Sequence, residues 1–594
     1  MGRNDVTLAW KLYEAGRDYN ERLVPSQYSL VETNTEFFIG NQWLHLPDTP
    51  AMRGLPKPTF NIIKRVASLF IASLTSSGVA LRFEPLAHYG APEGQGEEDP
   101  AAVATAEVAN LLEKFKLEYR IRVALFDGAQ TGDYCAHFWW DADALPYGGS
   151  FGAYRGEIRM ELVDGVNVMF GNPNTTDVER QPYILIIGRD TVENLRREAR
   201  EKSRVTADSE YGFQAGQGGR TELADNGDED GKALYCYLYT KKKVNGRETV
   251  HVTKATRDCV IFEDRDTGLS RYPIAWGNWE KQKNQYHGRA LVTGIIPNQI
   301  FINTMFAMVM RHLQLSGFPK TVYNADLISG WSNEVGQAIG VRGVIPGQSI
   351  GQVAANLAPA DMSNQIIAAI DKAMAYTKDC LGATDAQLGS VQPENTSALM
   401  VLQSSAEVPL ENTRAGLYEW VEDIGAILLD MMGTYYGKRP VVREREVRTT
   451  ELDAIGNAVL DPESGLLTVK KQKRRVVEMF DFSVFKDLWM RVRVDVGAST
   501  YFSEIAMVQT LDNLRRDGTL DLIEYLERVP DKLIPRKAEL IEAVRERSGV
   551  VEGAANAVGI SSAGALTKLP TTVQAKYSNL PAAAQRALMA KAKM

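Results

Sequence analysis

The run from Ala290 to Met310 constrains this chain more than any other: 21 residues without a charge, closed at either end by Arg289 and Arg311. A membrane-spanning helix needs about 20 predominantly apolar residues. This run has the length, but it carries Thr293, Gly294, Pro297, Asn298, Gln299, Asn303 and Thr304, with Pro297–Gln299 consecutive near its middle. Unpaired amides are costly in hydrocarbon, so the run reads as a helix buried in protein. It opens a longer stretch, Gly288–Gly437, that reads as two helices around a compact insert, then a hinge, then one long helix. These helices are too polar to span a bilayer and too apolar to stand alone in water. They require neighbours along their full length, and one chain offers few.

Elsewhere the composition excludes more than it assigns. A chain of 594 residues is long enough for three or more domains with cores of their own. Its 67 basic and 75 acidic residues leave a formal net charge of -8. Tight phosphate binding needs a basic excess, so the chain is not expected to grip nucleic acid over its whole surface, although DNA can slide past it. Cys135, Cys236, Cys259 and Cys380 are far apart and form no C-x-x-C pair, which points to a reducing cytoplasm rather than to disulfides or zinc. The N-terminus is charged and amphipathic, with no apolar run resembling a signal peptide.

In chain order, residues 6–23 read as helix, then Glu36–Trp43 and a Pro-rich connector from Pro47 to Pro58. Asn61–Leu74 carries a helical stripe at 62, 63, 66, 69, 70 and 74, and VALRFEPL reads as a strand. Pro85–Pro100 is expected to be an exposed loop. Ala101–Gly132 is expected to be one long amphipathic helix, with Leu111, Leu112, Phe115, Ile121 and Leu125 on its apolar face. Between 133 and 190 the period changes to strands of a small α+β domain, and Thr191 offers an N-cap with Glu193 near the helix start. Residues 204–231 read as an acidic, Gly-rich loop. Asn245-Gly246 turns a hairpin, and CVIFED and YPIAWGNW follow. After Gly437 a second hairpin is expected from RPVVREREVRT and LTVKKQKRRVVEMF. Leu488–Val496 alternates as a half-buried strand, 501–548 return to helix, and 551–594 form an Ala-rich tail with a short helix at 582–593.

No catalytic constellation emerges. Gly347-Gln348-Ser349-Ile350-Gly351 matches the G-x-S-x-G nucleophile elbow, but that fold needs its histidine downstream of the serine. All six histidines, His45, His88, His137, His251, His287 and His312, precede Ser349. Asn226-x-Asp228-x-Asp230-Gly231 resembles the start of a calcium loop, yet its twelfth position, where a bidentate Glu belongs, is Tyr237. There is no phosphate-cradling G-x-x-x-x-G-K-[ST] and no H-E-x-x-H. No metal or cofactor is therefore expected. Lys470, Lys471, Lys473, Arg474 and Arg475 put five basic residues in six. They read as a phosphate or acidic-partner contact, or as charges guarding a hairpin edge, with Glu444, Glu446 and Glu451 on the opposing arm to pair with them. Lys372 and Lys378, six residues apart, differ by about 600° of helix rotation and so cannot both face one partner squarely.

The order of segments resembles the portal proteins of tailed bacteriophages, most closely the P22-like group. The residues that carry the resemblance begin with Phe37-Phe-Ile-Gly-Asn-Gln-Trp43, Asn61 heading a helix, and Asp127-Gly-Ala-Gln-Thr-Gly132 before strands. Gly156-Glu-Ile158, Val163-Asp-Gly-Val-Asn-Val168, Trp279-Glu280, Gly288-Arg289 and Pro297-Asn-Gln299 continue it. Asn395-Thr-Ser-Ala398, Gln403 and Pro409-Leu-Glu411 complete it, over roughly residues 10–545.

The resemblance implies an α+β, mainly helical subunit of a dodecameric ring. Its parts would be an α/β wing over 1–285, stem helices over 286–316 and 361–382, and a small α/β clip over 317–360. A channel loop at 383–397, a long kinked helix over 398–437, returning wing strands over 438–500 and a helical crown with the tail over 501–594 complete it. The ring would sit at one capsid vertex of a virion assembled in the host cytoplasm. It would conduct double-stranded DNA driven by the terminase motor during packaging, and release it on ejection. Terminase large subunit, major capsid and scaffolding proteins, and head-completion or tail adaptor proteins are the implied partners, and the chain itself would be no enzyme. Asp385, Gln387, Ser390, Gln392, Glu394 and Asn395 are expected at the DNA channel, where few fixed cations favour passage over grip. Lys372 and Lys378 are candidates for DNA-facing positions, and Asp326, Trp331, Glu334 and Arg342 for motor or tail docking. The amides and apolar residues of 288–437 would then line a subunit interface on one side and a channel wall on the other. A closed ring satisfies such surfaces with one repeated contact. A membrane channel built on Ala290–Met310 and a hydrolase using Ser349 are the competing readings.

Overall fold

Pattern and structure agree first at the helix that fixes the core. In the computed structural model, α9 (Glu411–Tyr435) buries Leu417, Trp420, Ile424, Ile427, Leu428 and Met431, the stripe of three- and four-residue spacing. Trp420 donates its indole N–H to the Ala275 carbonyl at 3.1 Å, which satisfies its one polar atom inside the core. The structure describes residues 6–44, 53–76, 78–85, 100–145, 154–207, 231–244, 246–317, 320–328, 330, 339–343, 349, 351, 353–357, 364–381, 408–450 and 469–496, with separate positions between 508 and 544. The chain divides into one unit over Met1–Asp495 and a second over Val496–Met594.

The first unit is α+β. Its N-terminal helices are α1 (Leu8–Arg22), α2 (Gln27–Ile39) and α3 (Ile62–Leu74). Asn61 caps α3 by accepting from the Lys64 N–H at 3.0 Å, and the expected stripe faces the core. β1 (Val79–Pro85) follows. The single helix expected over 101–132 is two: α4 (Pro100–Lys114) and α5 (Leu117–Thr131). Between them Lys116 takes a left-handed conformation at φ 52. A lysine advertises no such break, because only Gly, Asn and Asp visit that region readily, so the apolar pattern ran across it unmarked.

Two sheets follow. β2 (Asp133–Asp141) is the centre of an antiparallel sheet ordered β3-β2-β9, with β3 at Glu157–Val163 and β9 at Ile274–Asn278. The second sheet runs β4-β5-β6-β7-β8, with β4 at Val168–Phe170, β5 at Tyr183–Thr191, β6 at Lys232–Val244, β7 at Arg247–Ala255 and β8 at Val260–Asp266. The β6–β7 hairpin closes with Val244 opposite Arg247, and Gly246 lies at φ 83. α6 (Val192–Glu198) starts at Thr191, whose hydroxyl accepts from the Asn194 N–H, and Glu193 lies in its first turn. Tyr237 sits within β6 rather than at the end of a calcium loop. His137 joins the two sheets: its Nδ1 is 2.8 Å from Glu161 and its Nε2 is 2.8 Å from the Tyr239 hydroxyl.

The central helices are α7 (Leu291–Gly317), α8 (Asn364–Leu381) and α9. Between α7 and α8, β10 (Lys320–Tyr323) pairs antiparallel with β11 (Ala354–Leu357). Pro409 lies in a single 3-10 turn, Val408–Leu410, that runs directly into α9. The part of the long helix expected before 408 lies outside the described residues. The second hairpin is present as β12 (Lys438–Thr450) and β13 (Val469–Asp481). β14 (Met490–Val496) pairs with β1, and its Met490, Val492 and Val494 are half-buried while Arg491 and Arg493 are exposed.

In the second unit, residues 511–516 are helical and α10 spans Leu522–Arg528. The Tyr525 hydroxyl donates to Asp512 at 2.6 Å, and Arg515 lies over the Tyr525 ring. The helix expected at 582–593 is outside the described residues.

Candidate functional site

α7 is fixed at its root by a buried polar cluster. Asp133, at the start of β2, accepts from the Gly288 N–H and from Asn278 Nδ2, both at 2.7 Å on Oδ1. Its second oxygen is 2.6 Å from His287 Nδ1, and His287 Nε2 is 2.9 Å from Asn20 Oδ1 on α1. Asp133, His287, Asn20 and Asn278 are all buried. A carboxylate accepts only, so the proton on Nδ1 is fixed and the ring is held between β2 and α1. Gly132 (φ 94) and Gly288 meet backbone to backbone here, and a Cβ on Gly132 would collide with the Gly288 carbonyl. The Trp279 N–H donates to Gly132, and the Arg289 N–H donates to Glu280. Three of the spaced motifs, around Gly132, Trp279-Glu280 and Gly288-Arg289, are thus one joint.

Further along α7 the amides continue that anchorage. Asn34 on α2 donates to Thr293 at 2.9 Å. Gln299 accepts from the Ile62 N–H at 3.0 Å and donates to the Phe60 carbonyl at 2.6 Å and to Asn303 at 2.9 Å. Asn303 in turn donates to Gln42 at 2.6 Å. The buried face of α7 is Val292, Ile295, Gln299, Ile302, Asn303 and Ala307. This corrects the expectation that such amides line a subunit interface or a channel wall: Thr293, Gln299 and Asn303 hold α7 to helices of its own chain. Buried amides are tolerable only when paired, and sequence could not name partners more than two hundred positions away.

The opposite face has no such cover. Phe301 and Met308 are 48% and 51% exposed. α8 buries Ile370 and Thr377, while Ile367 and Tyr376, on different sides of the helix, stand exposed at 47% and 63%. By length and composition α7 could cross a membrane, but its buried face carries paired amides where it meets α2 and α3.

Of the expected site residues, Lys372 is exposed and Lys378 half-buried, in keeping with their different sides of α8. Asp326 and Arg342 lie in the insert between α7 and α8, where the Arg342 N–H donates to the Leu327 carbonyl at 3.0 Å. Trp331 and Glu334 lie outside the described residues. So do Asp385, Gln387, Ser390, Gln392, Glu394 and Asn395. Glu444 and Glu446 stand opposite Arg475 and Lys473 in the β12–β13 register, as the hairpin expectation required, and Glu451 is outside the described residues. A polar cleft of about 330 Å³ beside α9 holds Arg271 between Glu179 at 3.3 Å and Asp423 at 3.4 Å. Its charges are matched to one another. Among the described residues no group of three or more His, Cys, Asp or Glu is arranged to hold a metal.

The family model of the phage P22-like portal protein matches residues 169–530, from β4 into α10 and beyond, more than half of the chain. The chain belongs to the P22-like phage portal family. No curated protein matches it. Portal proteins of this family are structural, forming a capsid-associated ring through which DNA passes, so membership places the chain in a virion at the capsid vertex. It does not favour the membrane-channel and hydrolase readings. The match starts at Met169, so Phe37–Trp43, Asn61 and Asp127–Gly132 precede it, yet Gln42, Asn61 and Gly132 pack at the α7 joint and the helices that anchor it.

Proposed function

We propose that this chain is the repeating subunit of a dodecameric portal. The ring would admit double-stranded DNA under the terminase motor, release it on ejection, and receive head-completion or tail adaptor proteins. The observation that carries this reading is the face of α7 on which Phe301 and Met308 stand about half exposed, opposite a face already satisfied within the chain. Contiguous exposed apolar surface marks an interaction site, and a ring supplies the same neighbour to every copy. In this reading 1–285 and 438–500 form the wing, 286–316 and 361–382 the stem, and 317–360 the clip. The channel loop is 383–397, and 501–594 form the crown and tail.

Asp385, Gln387, Ser390, Gln392, Glu394 and Asn395 would meet the passing DNA. Lys372 is better placed than half-buried Lys378 to contact it from the stem. Asp326, Trp331, Glu334 and Arg342 would contact the motor or tail proteins. The subunit performs no chemistry; the energy comes from the terminase large subunit. Assembly would occur in the host cytoplasm with the major capsid and scaffolding proteins. The test is packaging: capsids assembled without this chain should form and stay empty of DNA. DNA-filled capsids in its absence would contradict the proposal.

A further inference from the structure

β12 and β13 form a two-stranded sheet of their own, and a lone hairpin is at best marginally stable in water. Opposed residues of an antiparallel pair share a face, and successive residues alternate. At the foot of the hairpin the inner face holds the pairs Arg439–Phe480 and Val441–Glu478, of which Arg439, Val441 and Phe480 are buried. The outer face holds Pro440–Met479 and Val442–Val477. A hairpin with one solvated face turns polar residues outward. Here Val442, Val477 and Met479 are instead 61%, 65% and 55% exposed. They make an uncovered apolar ridge, next to the Lys438–Asp481 ion pair. The same unit also holds a cleft of about 810 Å³ between α9, the start of β7 and the segment 485–492. Leu429, Phe485, Met490 and Val492 line it, together with Trp489, which is 80% exposed. Its charged lining residues, Arg247, Glu248, Lys486 and Asp487, are exposed and cancel in sign.

We infer that the Val442–Val477–Met479 ridge of one copy seats in the Trp489 cleft of the next, a head-to-tail contact between copies of this chain. An apolar centre with charged residues at its margin is the anatomy of a protein interface, and Trp is among the residues that anchor one. Two cations and two acids leave the cleft no net charge with which to select a polyanion or a polycation, whereas its apolar walls match an apolar ridge. This contact rests on the portal reading. In a ring generated by rotation each copy shows its two neighbours different surfaces, and one must complement the other. A two-fold contact would pair each surface with itself and stop at a dimer. The ridge and the cleft are such a pair of unlike surfaces, and neither belongs to α7. A neighbour on the ridge also gives the lone hairpin the packing that it lacks within its own chain.

The test is cross-linking of the full-length protein carrying Cys380→Ser, the other three cysteines being buried. Val477→Cys on the ridge and Asp487→Cys at the cleft are introduced singly and together, and each protein is treated with a short bismaleimide. The double variant should give a ladder of covalent products running beyond the dimer on denaturing gels, and neither single variant should. Dimers from Val477→Cys alone would place ridge against ridge and overturn the inference. Rings of the double variant that yield no ladder would overturn it too. Trp489→Gln, with its fold checked by circular dichroism, should raise the protein concentration at half assembly about tenfold or more. An unchanged midpoint would count against the cleft as the seat. Sedimentation of the untreated samples reports assembly separately. Rings without a ladder defeat this contact alone, whereas monomers throughout defeat the portal reading and the contact with it.

Discussion

Asp133 and His287 are separated by 154 positions in sequence and by 2.6 Å in the fold, where they pair at the root of α7. Both are buried, and among the described residues no Lys or Arg is within salt-bridge distance of Asp133. Breaking a buried pair from one side leaves an uncompensated charge and costs about 3–5 kcal/mol. His287→Ala should therefore lower the urea midpoint of the first unit strongly, while Asp133→Asn combined with His287→Gln recovers part of the loss. Additive losses in the double variant would show that the two residues are not coupled.

Gly132 allows a sharper test of the same joint. Gly132→Ala adds both a positive-φ penalty and a collision with the Gly288 carbonyl, whereas Gly246→Ala, at φ 83, meets nothing within 4 Å. The Gly246 change should cost about 1–2 kcal/mol, from backbone strain alone. Gly132→Ala should cost clearly more, read as soluble yield and thermal midpoint. Equal effects would mean that the close backbone approach is not required.

The two faces of α7 should respond differently. Gln299→Leu removes the Gln299 hydrogen bonds to the Ile62 N–H, the Phe60 carbonyl and Asn303, each worth about 0.5–1.5 kcal/mol net, and should destabilise the fold. Phe301→Glu and Met308→Glu change residues about half exposed in the single chain. They should leave the fold intact, by circular dichroism, and block self-association, by sedimentation.

How much of this was legible in sequence depended on the range of the interaction. The α9 stripe, the Asn61 and Thr191 caps and the β6–β7 turn are local, written in residues three or four apart or in one dipeptide. The break at Lys116 was not, because a lysine in the left-handed region is held there by its surroundings and not by its own preference. The joint was half legible. Gly132, Trp279 and Gly288 stood out as motifs, but Asp133, His287 and Asn20 looked like ordinary polar residues until the fold removed water from them. Gln299 and Asn303 were noticed for the right reason, their amides in an apolar helix, and given the wrong partners.

Acidity should act on the same region. The Asp164 carboxyl is pushed up from 3.8 to about 7, by burial first and then by the charges of Asp127 and Asp133, against the Val166 N–H that lowers it. Asp127 is pushed up to about 6 by burial. A carboxyl whose folded pKa is raised holds its proton more tightly when folded, so its contribution is complete below the unfolded value. It is lost as pH rises through the folded one. Stability should thus fall between about pH 4 and about pH 7, and Asp164→Asn should flatten that slope. A slope unchanged by Asp164→Asn would contradict the assignment.

Electron microscopy of the purified protein without detergent tests the central claim most directly. The account predicts rings with a central hole, lost in Phe301→Glu and Met308→Glu while the subunits stay folded. Monodisperse monomers at high concentration, or rings unaffected by those substitutions, would contradict it.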